Sequence, residues 1–195
     1  MKMKKTKIIP KGAHLIPKEA ECVFKGIIFD VYQWDQELYD GSYETFEMLK
    51  RPDTVSIAAI REDKVVVLKE SQPGRDEFIG FPGGRADRGE IPIDAAKREL
   101  LEETGMKFSN WKLLDVIQPQ SKIEWFMYSY LATDFESQEA PAQDPGEKIE
   151  LMELTFDEVK RCDSQLRLGK GVLRDFVEIR DIVIAPEFSG REVEI

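Results

Sequence analysis

The chain has 195 residues, a net charge of −10 and a composition that is 42% hydrophobic and 34% charged. That length is enough for one domain with its own core, and no apolar run approaches the roughly 20 residues that a bilayer span requires. The acidic excess argues against nucleic acid or an anionic membrane as a partner, because both require a basic face.

The histidine and cysteine content excludes several classes of site. The single histidine, His14, is too few for a histidine-rich zinc centre and makes a Ser/His/Asp triad improbable. The two cysteines, Cys22 and Cys162, form no CxxC pair and are typical of cytosolic thiols. The basic N-terminus is not followed by an apolar stretch and a cleavage site, so we predict no signal peptide and expect a cytoplasmic protein.

The N-terminal part of the chain is predicted to form a small β hairpin. Residues 1–20 are basic and lack periodicity, which indicates an extended arm. Residues 22–34 are rich in aromatic and β-branched side chains, Asp40-Gly41 is a turn signal, and 43–49 can return as the partner strand. This hairpin has too few apolar residues for a core of its own, so it must pack on the rest of the chain.

The remaining elements predict a mixed α/β (α+β) sandwich. Residues 91–104 have a proline in the first turn, Asp94 near the positive end of the dipole and Gly105 as a stop, which indicates a helix. The other predicted elements are strands at 54–60, 64–69, 77–81, 112–117, 125–133 and 148–154, a loop at 134–146, helices at 157–162 and 171–179, and a tail at 182–195. We divide the chain into an N-terminal arm and hairpin (1–51), a main domain (52–180) and a C-terminal tail (181–195).

The stretch from Gly84 to Met106, GRADRGEIPIDAAKRELLEETGM, concentrates acidic residues on one side of the predicted helix. At 100° per residue, Glu99, Glu102 and Glu103 fall within an arc of about 100°. Three like charges on one face destabilise an isolated helix, and Arg98 offsets only part of the repulsion. Divalent cations would neutralise the cluster, and oxygen ligands without histidine indicate Mg²⁺ or Mn²⁺.

This stretch resembles the Nudix hydrolase signature, G-x5-E-x7-R-E-U-x-E-E-x-G-U with U a bulky apolar residue, at every specified position. Seven fixed identities at roughly 7% each recur by chance with a probability on the order of 10⁻⁸ per start position. The resemblance implies a Nudix-type α/β/α sandwich with a mixed sheet. It also implies Glu99 and Glu103 as metal ligands, Glu102 and Glu90 in support, the Gly83 carbonyl as a further ligand, and Arg98 orienting the glutamates.

The N-terminal hairpin, the phrase from Lys50 to Val55 and Pro119 resemble the branch of ADP-ribose and nucleoside-diphosphate-sugar pyrophosphatases. That branch implies a homodimer paired through the N-terminal strands, whose aromatic side chains stack on the base. The implied substrate-binding residues are Trp34, with Phe29 and Tyr32 as further candidates, Arg51 for the pyrophosphate, Arg75 and Glu124. The chain departs from the branch pattern at Gly80, where a glutamate is usual, and at Gln72, where an arginine is usual; Arg75 is the candidate replacement.

The catalytic base implied by the branch lies on the acidic loop before the last sheet strand, where Glu147 is our choice and Asp144 and Glu150 are alternatives. The predicted activity is Mg²⁺-dependent hydrolysis of the pyrophosphate of a nucleoside diphosphate linked to another moiety, with ADP-ribose as the leading substrate. Other nucleotide sugars, dinucleoside polyphosphates and nucleoside triphosphates remain alternative substrates. A domain that binds ADP-ribose without cleaving it is the alternative of another class.

Overall fold

The computed structural model describes residues 5–71, 73–74, 76–142, 146, 148–162, 179–184 and 186–195. Within them the chain forms three β-sheets and three helices. The strands are β1 (Thr6–Ile9), β2 (Glu21–Lys25), β3 (Asp30–Glu37), β4 (Tyr43–Lys50), β5 (Thr54–Arg61), β6 (Lys64–Ser71), β7 (Phe78–Gly80), β8 (Met106–Ile117), β9 (Ile123–Glu124), β10 (Met127–Gln138), β11 (Lys148–Thr155) and β12 (Arg191–Glu194). The helices are α1 (Pro92–Thr104), α2 (Phe156–Arg161) and α3 (Ile179–Ile184). No helix among these residues is long and apolar enough to cross a bilayer.

The main sheet is mixed and has the strand order β11-β6-β5-β10-β8. Strand β5 pairs in parallel with β10 and antiparallel with β6, and it is buried along nearly its whole length. Such a continuous apolar strand is expected where both faces of a sheet are covered. On one face of the sheet, α1 covers a core that includes Ile57, Tyr128 and Met106. On the other face, α2 and α3 cover a core that includes Val67. The sandwich predicted from the sequence is confirmed.

The main sheet splits where β5 and β6 diverge. The two strands pair only near their shared turn, at Ile60 with Val65 and Arg61 with Lys64. Beyond that point β7 takes the place of β5 beside β6. The residues that follow β7 then satisfy the free edge of β5, because the Val55 amide donates to the Gly84 carbonyl at 2.9 Å and the Ile57 amide donates to the Pro82 carbonyl at 2.8 Å. The loop after β7 is therefore held in the sheet almost as a strand.

The N-terminal strands form a four-stranded sheet in the order β2-β3-β4-β9 rather than a simple hairpin. The apolar run over 22–34, which favours strands, is divided into β2 and β3 by a turn in which the Gly26 amide donates to the Phe29 carbonyl at 3.1 Å. Strand β4 also pairs in parallel with β9, which comes from the main part of the chain. The sheet is thereby attached to the main domain through its backbone.

The two ends of the chain pair with each other. Residues predicted as an extended arm contain β1, and the predicted tail contains β12, and these two strands are antiparallel partners. Ile9 is fully buried in the main core, and Phe188 and Val193 pack against the same cluster. Sequence periodicity missed this pairing because each strand has only four residues and the partners are nearly a whole chain apart.

Two further boundaries differ from the predicted ones. Strand β8 begins at Met106 rather than at 112, and β10 continues to Gln138, into the residues predicted as a loop from 134. These two strands pair along their whole length, with shifts of register near Ser129 and Phe135. Exposed polar residues such as Lys107, Ser109 and Glu136 interrupt the apolar pattern of these two extensions, although Met106 and Phe108 are buried in the core.

Candidate active site

Helix α1 presents its acidic residues to the loop that completes the main sheet. The helix begins with Pro92 and is closed by Gly105. The φ of Gly105 is 72° and its amide donates a hydrogen bond to the Leu101 carbonyl, which together form the expected left-handed cap. Ala95, Ala96 and Leu100 are fully buried against β5. Ile93 and Leu101, the other apolar side chains of the helix, are only half-buried, so they lie at the margins of this buried face.

Two carboxylates of α1 lie directly against the loop backbone. The Gly83 amide donates to Oε2 of Glu103 at 2.9 Å, and Glu103 is only 8% exposed. A Cβ built on Gly84 would lie 2.6 Å from Oε2 of Glu99, so the Glu99 carboxylate occupies the space that any larger residue would need. Gly83 is equally constrained, since its φ is 152° and a Cβ would lie 2.2 Å from the Val55 carbonyl oxygen. The loop can take only glycine at these two positions without rearrangement.

Arg98 connects the remaining acidic residues. Its Nε and Nη2 donate to the two carboxylate oxygens of Glu90 at 3.0 and 2.9 Å. Its Nη1 donates to Glu99 at 2.9 Å and to Glu102 at 3.0 Å. Nη2 also donates to the Arg85 carbonyl at 3.2 Å. The orienting role implied for Arg98 fits this geometry, and Glu90, which sequence reasoning assigned either to a metal or to Arg98, binds Arg98 here.

The electrostatics of the cluster differ from one carboxylate to the next. Burial raises the pKa of Glu99 above its ordinary value, and the neighbouring Arg98 opposes that rise. The hydrogen bonds from Arg98 lower the pKa of Glu90, and those same bonds, chiefly with Glu90, raise the pKa of Arg98. Of Glu90 and Glu99, Glu99 is thus the carboxylate whose charge is less well compensated by its neighbours.

The donor set fits a divalent cation that prefers oxygen ligands. Glu99 and Glu103 are four residues apart on one helix face and lie against the Gly83–Gly84 backbone. Burial raises the pKa of Glu99, and a cation there would offset the cost of its buried negative charge. Within the described residues, no three acidic, histidine or cysteine side chains already converge as a complete metal cage. The protein supplies oxygen ligands around Glu99 and Glu103, and Mg²⁺ commonly completes such a set with water and substrate phosphates.

A cleft of about 730 Å³ lies beside this cluster and includes Glu90 in its wall. Its volume is in the range of small-molecule sites. The walls come from the N-terminal arm, the start of β3, the connection from β4 to β5, the loop from 86 to 90, and β12. Arg51, Tyr32 and Glu124, all named from the sequence as candidates for substrate binding, lie in these walls.

Arg51 is held between two aromatic rings. Its guanidinium lies 4.4 Å from the centroid of the Trp125 ring and 5.5 Å from that of Phe29. Its Nε atom is buried and has no hydrogen-bond partner among the described residues, and burial lowers the pKa of the side chain. Arg51 is therefore a cation of the cleft wall whose charge the described residues compensate poorly.

Trp34 lies away from this cleft within the single chain. Its ring is tilted against Phe46, its partner across β3 and β4, with centroids 6.1 Å apart. Its Nε1 donates to Gln36 at 3.2 Å. The structure does not bring Trp34 to Glu99 or Arg51, and its predicted contact with substrate stays a prediction.

Glu124 already has partners on both carboxylate oxygens. Oε2 accepts from the Ile16 amide at 2.8 Å, and Oε1 pairs with Lys50 at 2.6 Å. Beside it, the Gln118 amide group bonds both the amide and the carbonyl of His14. These two side chains fasten the N-terminal arm as one wall of the cleft, which is a role that the sequence did not indicate.

Several predicted residues lie outside the described part of the chain: Arg75, Glu147 and Asp144, together with Gln72. Glu150, the third candidate base, lies near the start of β11. Its side chain is exposed, and its Oε2 atom is 3.9 Å from the Lys69 Nζ atom. The position of Gly80 is described: a Cβ there would lie 3.3 Å from a Glu70 carboxylate oxygen.

Two residues that sequence reasoning did not single out have clear roles near the site. The Asp53 carboxylate pairs with Lys7 and accepts from the Phe126 amide at 2.9 Å. Its backbone carbonyl accepts from the Ala86 amide at 2.9 Å, so Asp53 joins β1, β10 and the loop. Asp30 pairs with Arg88 of the loop and is buried. For Asp30 the signal in the sequence was an acid inside an apolar run; Asp53 follows Arg51-Pro52 and had no such signal.

Comparisons with known proteins agree with this geometry. Residues 50–176 match the family model described as the NUDIX domain. The chain is 28% identical over 155 residues to a methanol dehydrogenase activator of Bacillus methanolicus, covering 77% of this chain and 83% of that protein. It is also 28% identical over 142 residues to an ADP-ribose pyrophosphatase of Bacillus subtilis (strain 168), covering 71% and 77%. A solved structure of an ADP compounds hydrolase superposes with a TM-score of 0.57 at 23% identity, covering 83% of this chain and 85% of that one.

The family match covers well over half of the chain, and the loop–helix unit holds every fixed residue of the signature. The chain therefore belongs to the Nudix family. Within that family it is a pyrophosphohydrolase that is similar to an ADP-ribose pyrophosphatase.

Proposed function

We propose that the protein hydrolyses, with Mg²⁺ or Mn²⁺, the pyrophosphate bond of a nucleoside diphosphate linked to another moiety. ADP-ribose is the leading substrate, and its products are AMP and ribose 5-phosphate. The observation that carries the proposal is the placement of the Glu99 and Glu103 carboxylates against the Gly83–Gly84 backbone, with Arg98 linking Glu99 to Glu90.

The acidic cluster is proposed to bind the cation that the reaction requires. Glu99, Glu103 and the Gly83 carbonyl hold the cation, with Glu102 in support. The cation supplies positive charge that orients the phosphate oxygens and stabilises the charge developing at phosphorus. Arg98 keeps the glutamates ionised and in place, as its bonds to Glu90 and Glu99 allow.

Glu147 is proposed as the general base. A carboxylate on an acidic loop can reach over the site and accept the proton of the attacking water. Glu147→Gln keeps the size of the side chain and removes the basic oxygen. We expect kcat to fall about 100-fold or more with little change in KM, measured by quantifying AMP release. An unchanged kcat would assign the base to Asp144 or Glu150.

The cleft beside the cluster is proposed to receive one end of the substrate. Arg51 is suited to the diphosphate because it lies in the cleft wall and its charge is poorly compensated by the described residues. Arg75 is proposed as a second cation. Support for ADP-ribose comes from the name of the Bacillus subtilis relative, which covers 71% of this chain. The departures at Gly80 and Gln72 make other nucleotide sugars the nearest alternatives.

The N-terminal sheet is proposed to pair two copies of the chain into a homodimer. Its exposed large apolar side chains are Val23, Phe24, Ile27, Ile28, Phe29, Tyr39 and Tyr43. Apolar side chains concentrated on one small sheet indicate a protein interface. Trp34 and Phe29 could then approach the site of the second copy. Light scattering at micromolar concentration tests this assembly, and a monomer would contradict it.

The decisive experiment on substrate is a panel of ADP-ribose, nucleotide sugars, NADH, dinucleoside polyphosphates and nucleoside triphosphates, assayed with Mg²⁺ and with products identified. We expect the highest kcat/KM for ADP-ribose. A preference for nucleoside triphosphates would contradict the proposed substrate class. Binding of ADP-ribose without hydrolysis in either metal would show the non-hydrolysing alternative to be right.

A further inference from the structure

A bidentate ion pair joins the N-terminal sheet to the loop that precedes α1. Arg88 lies between Gly84 and Glu90 of the signature, at a position for which the signature specifies no residue. Its Nη1 donates to Oδ2 of Asp30 at 2.7 Å and its Nη2 donates to Oδ1 at 3.1 Å. This two-point contact defines both the distance and the orientation of the guanidinium relative to β3.

Only the carboxylate of the pair is buried. Asp30 is the first residue of β3 and is 3% exposed, whereas the Arg88 side chain is 51% exposed. The hydrogen bond from Arg88 is the main reason that the pKa of Asp30 is lowered despite its burial. A buried carboxylate without such a partner is costly, so β3 keeps the loop close through Arg88.

The loop next to Arg88 is hydrogen-bonded to the acidic cluster. Immediately before Arg88, the Asp87 amide donates to Oε2 of Glu90 at 2.8 Å. The same oxygen accepts from Arg98, which also holds Glu99. Two sets of charge-assisted bonds, joined by the backbone between Arg88 and Asp87, therefore link Asp30 to the carboxylate that lies against Gly84.

We propose that Asp30 and Arg88 act as a positioning pair, through which the N-terminal sheet sets the placement of Glu90 and thereby of Arg98 and Glu99. The inference rests on the proposed function, in that Glu99 is taken as a ligand of the catalytic cation. It adds that an element outside the loop–helix unit determines how well that unit binds the cation.

Three variants test the pair: Asp30→Asn, which keeps the shape of the side chain, Arg88→Ala, and Arg88→Lys. For each we expect kcat to fall about 10- to 100-fold, the range found when partners of metal ligands are removed. KM for substrate should change less than kcat. Lysine should restore little, because it cannot make the two-point contact. The double variant should be no worse than either single variant, since both changes break one interaction.

A readout that does not depend on turnover is the affinity for Mn²⁺ alone, measured by electron paramagnetic resonance. We expect about 10-fold weaker binding in Asp30→Asn and Arg88→Ala. The matched control is Arg61→Ala, which removes an ion pair to Glu153 of 3.1 Å at the other end of β5. That variant should keep the Mn²⁺ affinity and kcat of the wild type.

The possible outcomes separate this inference from the proposed function. Wild-type Mn²⁺ affinity and kcat in both Asp30→Asn and Arg88→Ala would overturn the positioning role. Losses that add in the double variant would also overturn it, because the residues would then act independently. If the wild type hydrolyses nothing in the panel but Asp30→Asn still weakens Mn²⁺ binding, the proposed function fails and the positioning pair stands.

Discussion

Replacing Arg98 by methionine should destabilise the metal-free protein and make its stability depend more strongly on Mg²⁺. Methionine keeps the apolar stem of the side chain and removes the guanidinium. Arg98 bonds three carboxylates, of which the Glu90 and Glu99 side chains are only 17% and 15% exposed. Glu102 is 45% exposed, so water can replace its bond to Arg98 at little cost.

The magnitude follows from the two covered carboxylates. A hydrogen bond to a charged group contributes about 1.5–3 kcal/mol, and partial exposure lowers this toward 1–1.5 kcal/mol for each carboxylate. The free energy of unfolding should therefore fall by about 2–3 kcal/mol in Arg98→Met. For a chain of this size each kcal/mol lowers Tm by about 2–4 °C, so we expect a decrease of about 4–12 °C.

The assay is thermal unfolding in EDTA and again in excess Mg²⁺. A cation at Glu99 and Glu103 would take over part of the neutralisation, so Mg²⁺ should raise the Tm of Arg98→Met more than that of the wild type. The control is Arg61→Met, whose ion pair is about one-third exposed and should contribute about 0–1 kcal/mol. If Arg98→Met unfolds within 2 °C of the wild type in EDTA, Arg98 is not what holds the acidic cluster together.

Three further changes test the site. Glu103→Gln can still accept from the Gly83 amide, so the Tm should stay within a few degrees while turnover with Mg²⁺ falls at least about 100-fold; near-normal turnover would exclude Glu103 as a ligand. Gly84→Ala should push the Glu99 carboxylate away and weaken Mn²⁺ binding about 10-fold, because its Cβ would lie 2.6 Å from Oε2; unchanged binding would show that Glu99 is not needed there. The pKa of Asp30 is lowered in the folded protein, so the wild type should be more stable than Asp30→Asn above the unfolded pKa of about 3.9 and lose that advantage as the pH falls through the lower folded value. Urea unfolding between pH 2 and 7 measures this difference, and a difference that grows toward low pH would contradict the assignment.

The parts of the site that the sequence predicted are those set by local periodicity. The spacing of Glu99 and Glu103 on a helix places both on one face, and Gly105 ends the helix for a steric reason that can be read from one residue. The adjacent Gly83 and Gly84 indicated a close approach of backbone, and the Val55 carbonyl and the Glu99 carboxylate are the groups that approach them. Such features need no knowledge of distant parts of the chain.

The parts that were missed depend on contacts between distant residues. Asp30 and Arg88 are 58 positions apart, and nothing in either local pattern indicates the other as its partner. Glu124 was predicted to contact substrate, which stays a prediction, whereas nothing in the sequence indicated that its two oxygens bind Ile16 and Lys50. A charged residue in a sequence carries no record of which opposite charge it meets, because that depends on the packing of whole elements.

The split in the main sheet separates what must stay constant in this enzyme from what can vary. The loop before α1 is attached to the backbone of β5 by the Val55 and Ile57 amides, so side-chain changes elsewhere leave its course intact. The cleft, by contrast, is bounded by the two ends of the chain and by the N-terminal sheet. Changes in the N-terminal arm or the terminal strands could therefore adapt the cleft to another nucleotide. The loop and helix proposed to break the phosphorus–oxygen bond would be left undisturbed.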